Sequence, residues 1–254
     1  VAIDAAVLGD ELERIGWAGD APVPGPAPHA YVELHIEQGP LLEEQGVTIG
    51  AVTGVQGISW QELTLTGQSN HAGTTPMRLR RDAGYAAAEV AVAVRRLAAD
   101  LGGHQVGTVG RIDLHPNLVN VVAARATLTV DLRNTDEAVL ATSERGLRAR
   151  VDEIAAAEGV TASWRSLARF APVAFADEVI SLVERAAADR GHTVMRLPSG
   201  AGHDAQMLAR MCPTGMVFVP SRGGVSHNPA EFTEPEDLAA GCQVLADVLV
   251  ELAS

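Results

Sequence analysis

The alternation of apolar and polar residues over residues 31–38 predicts a β-strand. Its polar face carries Glu33, His35 and Glu37, and a Gly-Pro pair ends the pattern. Before it, residues 4–15 have helical spacing, and residues 19–28, rich in Gly, Pro and Ala, are typical of a linker. His35 is therefore expected on one face of a strand, together with two carboxylates.

Residues 59–167 follow the order strand, helix, strand, strand, helix, strand. The clearest strand covers residues 126–133, where apolar and polar positions alternate without a break. The second helix is expected to start after Thr135 and to end at Gly159. The βαββαβ order predicts a ferredoxin-like sandwich, in which two helices cover one face of a sheet. We expect this segment, residues 57–170, to be inserted into another domain.

Alternating helices and short apolar strands continue after residue 172. The pattern predicts a helix at 177–190, strands at 193–197 and 214–219, and a last helix that begins with a capping box at 233–236. The predicted fold class is therefore α/β. Residues 1–56 and 171–254 would form one domain, interrupted by the ferredoxin-like insertion.

Composition narrows the range of functions. The 254 residues are 47% hydrophobic, which is enough for a substantial core, and 19 basic against 32 acidic residues give a formal charge of −13. Such a charge repels a phosphate backbone, so no nucleic-acid partner is expected.

Apolar runs are shorter than the roughly 20 residues of a membrane span, and no signal-peptide pattern is present, so we expect no membrane role and a cytoplasmic location. Cys212 and Cys242 lack CxxC spacing and suggest neither disulfides nor a cysteine metal site.

Three polar segments contain histidines, at residues 33–39, 200–204 and 226–231. Imidazole suits Zn, Mn, Co or Ni ions, and a nearby carboxylate can orient the ring. Spacing alone leaves His35 and His227 either as metal ligands or as satisfied structural groups. For His203, which precedes Asp204 at a predicted helix start, we expect a helix cap.

The insertion contains two further candidates. His71 lies in a polar, glycine-rich loop at 67–76, which is either a functional loop on a rigid scaffold or an ordinary helix-entry turn. Arg133 ends the polar face of the long strand. Its guanidinium can bind a substrate carboxylate through two parallel hydrogen bonds, but a salt bridge to Asp131 is the simpler expectation.

Six segments taken together give a more specific indication. In chain order they are Glu33-Leu-His-Ile-Glu-Gln-Gly39, Thr53-Gly-Val-Gln-Gly57, His71-Ala-Gly-Thr-Thr-Pro-Met77, Asn120 with Asp131-Leu-Arg133, Ser199-Gly-Ala-Gly-His-Asp204 and Ser226-His-Asn228. This set resembles the N-carbamoyl-amino-acid hydrolase and allantoate amidohydrolase branch of the M20-type metallohydrolases. Related peptidases usually have a carboxylate where His35 stands, which favours the amidohydrolase branch.

The resemblance implies roles for particular residues. His35 and His227 would each ligate one ion of a pair of divalent metals, Zn, Mn, Co or Ni. His71 would stabilise the oxyanion, reaching across the interface of a homodimer formed through the inserted domain. The groups that hold the substrate would be Gln56, Asn120, Arg133 and the backbone at Gly200 and Ala201. Arg133 would bind the carboxylate.

The reaction implied is hydrolysis of a C–N bond in the carbamoyl or ureido group of an N-carbamoyl-L-amino acid or an allantoate-like ureido acid. The metals would polarise the carbonyl and activate a water molecule. Two alternatives remain open: an M20-type aminoacylase or peptidase, and a non-catalytic dimerising fragment.

One feature departs from the family pattern. The resemblance implies three further metal ligands and a general-base glutamate upstream of His35, whereas only 34 residues precede it and they contain one histidine, His29. We therefore expect an N-terminally truncated chain. Alone, it would bind metal weakly, would not turn over substrate and would leave an apolar sheet edge exposed, because a catalytic zinc normally has three protein ligands.

Overall fold

The computed structural model describes residues 2–3 and 6–254. The strands, in chain order, are β1 (Ala2–Ile3), β2 (Ala6–Val7), β3 (Tyr31–Ile36), β4 (Ile49–Val55), β5 (Gly57–Thr66), β6 (Val106–His115), β7 (Arg125–Asn134), β8 (Thr161–Phe170), β9 (Val173–Ala174), β10 (Val194–Ser199) and β11 (Thr214–Val219). The α-helices are α1 (Leu8–Arg14), α2 (Leu41–Gln45), α3 (Ala83–Leu101), α4 (Glu137–Glu158), α5 (Asp177–Asp189), α6 (Asp204–Leu208) and α7 (Pro235–Leu252). Short 3₁₀ turns lie at Met77–Leu79 and Arg222–Gly224.

The first large sheet has the strand order β10-β4-β11-β3, with β9 paired to β4. β10 runs parallel to β4 and β11 parallel to β3, whereas β4 and β11 are antiparallel. β4 is buried along almost its whole length. A strand buried on both faces is apolar throughout rather than alternating, which explains why the alternation pattern did not predict it.

Helices α5 and α7 pack against this first sheet and against each other. The core between them contains fully buried Val183, Val217 and Val244. α7 approaches the sheet closely at Gly241, where an added Cβ would lie 2.6 Å from Val219 Cγ1. Glycine is required there because a larger side chain would push the helix off the sheet.

The second large sheet is antiparallel with the order β6-β7-β5-β8, and α3 and α4 pack against it. Its elements follow the chain order βαββαβ, so the ferredoxin-like prediction is confirmed. A second cluster of buried apolar residues fills the space under the helices, including Leu63, Val90, Leu128 and Val151. This core shares no buried residue with the first one.

Helix α4 illustrates the local signals that fixed these elements. The Asp136 side chain accepts hydrogen bonds from the backbone N–H groups of Ala138 and Val139, at 2.7 and 3.0 Å, and Gly159 ends the helix in the left-handed conformation with φ 69°. Both ends agree with the sequence prediction, because an N-cap carboxylate and a C-terminal glycine satisfy backbone groups that the helix leaves unpaired.

Two local predictions were wrong. The helix expected over residues 4–15 covers only Leu8–Arg14, with Ala6–Val7 extended; Asp4, which would start it, lies outside the described residues, as do Val1 and Ala5. The capping box at 233–236 does not form. Glu234 occupies the N-cap position of α7 without a side-chain hydrogen bond, and the Thr233 hydroxyl instead donates to Pro220 O at 2.9 Å.

Among the described residues, no helix combines the length and the apolar character needed to cross a membrane.

Candidate active site

Strand β3 presents two potential metal ligands on one face. Glu33 and His35 are two residues apart, so their side chains project from the same side of the sheet. The His35 Nδ1 atom lies 2.8 Å from the carbonyl oxygen of Ile36, which can only accept. Nδ1 therefore carries the proton, and the lone pair of Nε2 is free to bind a metal ion.

His203 lies next to His35. The two ring centroids are 4.6 Å apart at an interplanar angle of 68°, and on its other side the His203 ring contacts Phe218 at 5.7 Å. Glu33, His35 and His203 each offer one ligand atom, and these atoms lie within 4.8 Å of one another, so this group could hold a metal ion. The loop after β10 and the short helix α6 bring His203 over β3 and β11.

The prediction that the His203 side chain caps a helix was wrong. His203 occupies the N-cap position of α6, but its ring makes no capping hydrogen bond. The Glu33 carboxylate performs that function from the neighbouring strand, because its Oε2 accepts from the N–H of Ala205 at 2.9 Å. The His203 ring is thereby available for contacts with β3 and with the preceding loop.

Burial, followed by the nearby His35, lowers the pKa of His203 to about 4, although Asp204 partly opposes the shift. The His203 side chain is only 2% exposed. Desolvation disfavours the charged imidazolium, so the ring is neutral at neutral pH. A neutral ring has one donor and one acceptor nitrogen, which restricts the contacts it can make.

Ser199, the last residue of β10, contacts both His203 and the loop that follows the strand. Ser199 Oγ lies 2.7 Å from His203 Nε2 and 3.1 Å from both the N–H and the carbonyl oxygen of Ala201. Gln56 is adjacent: its N–H donates to Ser199 O at 2.9 Å, and a Cβ added at Gly200 would lie 3.7 Å from Gln56 Oε1. Three of the predicted substrate-holding residues, Gln56, Gly200 and Ala201, are thus brought together.

Arg133 joins the second sheet to this loop. Its Nε and Nη2 donate to the carboxylate of Asp131, at 3.0 and 2.7 Å, and its Nη1 donates to the carbonyl oxygen of Gly200. The guanidinium also lies 5.9 Å from the ring centre of Trp60. The predicted salt bridge to Asp131 is therefore present. The contact with Gly200 was not predicted, and it places Arg133 beside Gln56, Gly200 and Ala201, the other predicted substrate-holding residues in this region.

His227 lies in a different local environment from His35. Its ring Nε2 is 3.3 Å from the side-chain Nε2 of Gln38, which also contacts Ser226 Oγ at 3.0 Å. Both Gln38 and His227 adopt positive φ angles, 57° and 55°, which are uncommon for residues other than glycine. His227 is not part of the Glu33–His35–His203 group. Gln38 follows soon after His35 in the chain. Among the described residues, its side chain connects the segment after β3 to the loop that contains His227.

His71 and Asn120 lie together, at the opposite end of the second sheet from Arg133. The Asn120 carbonyl accepts from the N–H of Ala72 at 2.9 Å, and His71 Nδ1 accepts from the N–H of Gly73 at 3.1 Å. The exposed His71 ring therefore carries its proton on Nε2. The loops that hold both residues leave the sheet where Thr66 pairs with Arg125, whereas Arg133 pairs with Ile58 at the other end.

Sequence reasoning did not select Glu33, Ser199 or His203 as site residues. Glu33 gave a usable signal, because its spacing from His35 already placed both side chains on one strand face. Ser199 and His203 lay in a segment that the sequence singled out, but their roles could not be predicted, since the contact of His203 with β3 depends on the path of the loop and of α6 across the sheet.

Comparisons with known proteins add independent information. A family model described as Peptidase family M20/M25/M40 matches residues 6–251. An N-carbamoyl-L-amino-acid amidohydrolase of Rhizobium meliloti is 43% identical over 250 residues, which are 97% of this chain and 59% of that protein. An allantoate amidohydrolase of Escherichia coli (strain K12) is 41% identical over 228 residues, 88% of this chain and 54% of that protein.

A solved structure is similar as well. The crystal structure of an amidase of the hydantoinase/carbamoylase family from Burkholderia multivorans superimposes with a TM-score of 0.93 at 45% sequence identity, covering 99% of this chain and 61% of that one. The chain therefore spans a little over half the length of the relatives that it matches.

Proposed function

Because the chain belongs to peptidase family M20/M25/M40, we propose that it forms part of a metal-dependent amidohydrolase that cleaves a C–N bond in a carbamoyl or ureido group. The observation that carries this proposal is the continuous line of contacts from the candidate metal ligand His35 through His203 and Ser199 to Gly200 and Arg133. A metal ligand and a carboxylate-binding arginine are the two elements that such a substrate requires.

The names of the relatives favour ureido acids as the substrate class. They include N-carbamoyl-L-amino-acid amidohydrolases, allantoate amidohydrolases and a ureidoglycolate hydrolase of Oryza sativa subsp. japonica. N-carbamoyl amino acids, allantoate and ureidoglycolate all combine a ureido nitrogen with a carboxylate. We propose a substrate of this class.

The histidines of this chain fit divalent metal ions. In His35 the proton is on Nδ1, so Nε2 can act as a ligand. In His227 the Nε2 atom accepts a hydrogen bond from the Gln38 amide nitrogen, so it is also unprotonated, and a bound ion would replace this hydrogen bond. We propose that His35 and His227 each hold one of two ions, Zn, Mn, Co or Ni. When bound, such ions polarise the carbonyl and lower the pKa of a water molecule.

The remaining residues would bind and orient the substrate. Of the five N–H donors of a guanidinium, Arg133 uses three for Asp131 and Gly200, which leaves two for a substrate carboxylate. The backbone at Gly200 and Ala201, with Gln56, would form the wall next to it. Asn120 and His71 would complete the site, His71 donating from Nε2 to the developing oxyanion.

His71 and Asn120 cannot complete the site of their own subunit. Eight residue-to-residue steps along β7 separate Arg125, near their loops, from Arg133, a distance of about 27 Å at about 3.4 Å per step. We therefore propose a homodimer formed through residues 57–170, in which each copy supplies His71 and Asn120 to its partner. The edge strand β6, with Val106 48% and Ile112 44% exposed, supports an interface on this part of the molecule.

Hydrolysis assays on the complete gene product test the proposed function. N-carbamoyl-L-amino acids, allantoate, N-acyl amino acids and dipeptides would each be incubated with the enzyme and Zn, Mn, Co or Ni, and ammonia release measured. We expect turnover of one or more ureido acids and its loss in His35→Ala. Histidine 192 lies outside the site, after α5, and His192→Ala serves as the matched control, which should retain activity.

Two outcomes would contradict the proposal. Turnover only of N-acyl amino acids or peptides would favour the aminoacylase or peptidase alternative. A protein that binds metal but hydrolyses none of these substrates would favour a non-catalytic dimerising role.

A further inference from the structure

We infer that His203 is a positioning residue that holds the turn Gly200–Gly202 against the face of β3 on which His35 lies, through its hydrogen bond to Ser199. The inference deepens the proposed function, on which it rests, because that turn is the proposed wall of the substrate site. His203 itself is not expected to touch the substrate.

The first argument is confinement of the ring. The His203 side chain is 2% exposed and is held between His35 and Phe218, with ring centroids 4.6 and 5.7 Å away. Close packing on both sides leaves the imidazole without alternative rotamers of comparable energy. The position of Nε2 is therefore fixed relative to β3 and β11, the strands that carry His35 and Phe218.

The second argument is the direction of the hydrogen bonds around Ser199. Its hydroxyl has one hydrogen and two lone pairs, and three groups lie within hydrogen-bond distance: the Ala201 carbonyl, the Ala201 N–H and His203 Nε2. All three contacts are satisfied together only when the hydroxyl donates to the carbonyl and Nε2 donates to the hydroxyl. His203 thus orients Ser199, and Ser199 binds both backbone groups of Ala201.

The Glu33 contacts do not depend on a proton at His203 Nδ1. With the proton on Nε2, His203 Nδ1 carries none, and it lies 3.6 Å from Glu33 Oε1, beyond hydrogen-bond distance. The other carboxylate oxygen of Glu33 accepts from the N–H of Ala205 at 2.9 Å. Contacts with β3 therefore hold the loop on both sides of the turn. Before the turn, Ser199 contacts His203, which packs against His35. After the turn, the N–H of Ala205 donates to Glu33.

The consequence concerns substrate binding rather than the chemical step. The carbonyl of Gly200 accepts a hydrogen bond from Arg133. A shift of the turn would therefore move the proposed wall of the substrate site together with the carboxylate-binding guanidinium. Loss of the His203–Ser199 contact should weaken substrate binding. The metal ligand His35 keeps its own anchor, the Ile36 carbonyl.

Amide hydrogen exchange and kinetics on the complete gene product test the inference. His203→Ala should accelerate exchange at the Ala201 N–H about tenfold or more although Ser199 is still present, because an unsupported hydroxyl no longer holds that amide. It should also raise KM about tenfold, with kcat changed less than about threefold. In His203→Gln, whose amide can still donate toward Ser199, both effects should be smaller.

Serine variants provide the second measurement and its control. Ser199→Ala removes only a hydroxyl and should raise KM as His203→Ala does, while the imidazole ¹⁵N shifts of His203 should report loss of its fixed Nε2–H tautomer. Ser143→Ala is the matched control, because Ser143 is equally buried but bonds only within α4, to Leu140 O. It should leave KM and the Ala201 exchange rate unchanged.

Unchanged exchange at Ala201 in a folded His203→Ala protein would overturn the inference, as would an equal KM increase in Ser143→Ala. The exchange measurement does not depend on turnover. If no ureido acid is hydrolysed, the proposed function fails, yet a faster Ala201 exchange in His203→Ala would still support the positioning role.

Discussion

His35, His203 and His227 show how local contacts decide what a histidine can do. In His35 a backbone carbonyl takes the Nδ1 proton and frees Nε2, whereas in His203 both ring nitrogens face groups of the protein and burial keeps the ring neutral. His227 is held by Gln38, and both residues adopt positive φ. Backbone strain of this kind persists only where surrounding contacts compensate for it, and it is concentrated at functional sites.

Arg133 offers a prediction at the scale of a single residue. We expect Arg133→Ala to raise KM for carboxylate-bearing ureido acids by about tenfold or more, because two N–H donors for the substrate carboxylate are lost. KM for a neutral amide analogue should change far less. Steady-state kinetics on both substrates provide the measurement, and equal effects on the two would show that Arg133 does not bind the carboxylate.

At the scale of the elements, the second sheet is tied together by a row of side chains that crosses all four strands. Arg165 on β8 pairs in register with Glu62 on β5, Glu62 with Thr129 on β7, and Thr129 with Arg111 on β6. Both arginines donate to the Glu62 carboxylate, at 2.8 and 3.0 Å. The row lies on the face opposite the helices, where cross-strand charge pairs add to the stability of a sheet.

The ion pairs of Glu62 predict a pH-dependent contribution to stability. The hydrogen bond from Arg165, more than any other contact, lowers the pKa of Glu62 from its usual value of 4.5. A carboxyl group with a lowered pKa stabilises the folded state above its unfolded pKa, and this stabilisation is lost as the pH falls through the folded value. Glu62→Gln should therefore lower Tm at pH 7, and the difference should shrink toward pH 3.

Thermal denaturation of the two proteins at a series of pH values checks this. Glu153→Gln, which removes an exposed ion pair within α4, is the control and should have a smaller effect at every pH. A Tm difference for Glu62→Gln that stayed constant from pH 7 to pH 3 would rule out the charge-based explanation.

At the scale of the whole molecule, two cores are joined by few polar contacts. The Arg133–Gly200 and Gln56–His104 hydrogen bonds connect the second sheet and its connecting loops to the segment around β4 and β10. We propose the division into residues 1–56 with 171–254, as a catalytic α/β domain, and 57–170, as an inserted dimerisation domain. The site proposed above lies where the two parts meet.

Complementation between two impaired variants, assayed at a substrate concentration well below KM, tests the proposed dimer. His71→Ala and Arg133→Ala affect residues at opposite ends of the second sheet, so in a mixed dimer one site receives both substitutions and the other receives neither. Random reassortment makes half of the dimers mixed, and one of their two sites is intact. We expect about a quarter of wild-type activity after the two variants are mixed and reassorted.

The two variants, each treated separately, are the controls in this experiment. Each variant alone, treated in the same way, should stay near its low starting activity. Light scattering should give the mass of two chains. Absence of complementation in a confirmed mixed dimer would place His71 and Arg133 in one subunit's site or remove His71 from catalysis.

The sequence by itself determined most of the elements and indicated the family. The alternation over β3 and β7, the helix start after Thr135 and the stop at Gly159 depend on near neighbours in the chain, and they predicted strands, helix ends and the βαββαβ order. The six ordered segments indicated the family, which the comparison confirmed. The elements follow from local spacing, which is fully visible in a sequence, and the family follows from the resemblance of the six segments.

Tertiary structure decided which of these residues meet. His203 reaches Glu33 and His35 because a loop crosses the sheet, and Ser199 is linked to them only through His203. Arg133 reaches Gly200 because the second sheet ends beside β10. β4 had no alternation to reveal it, since both of its faces are buried. Contacts between residues distant in the chain depend on how whole elements pack, so no local pattern could predict that His203 would contact β3 rather than cap α6.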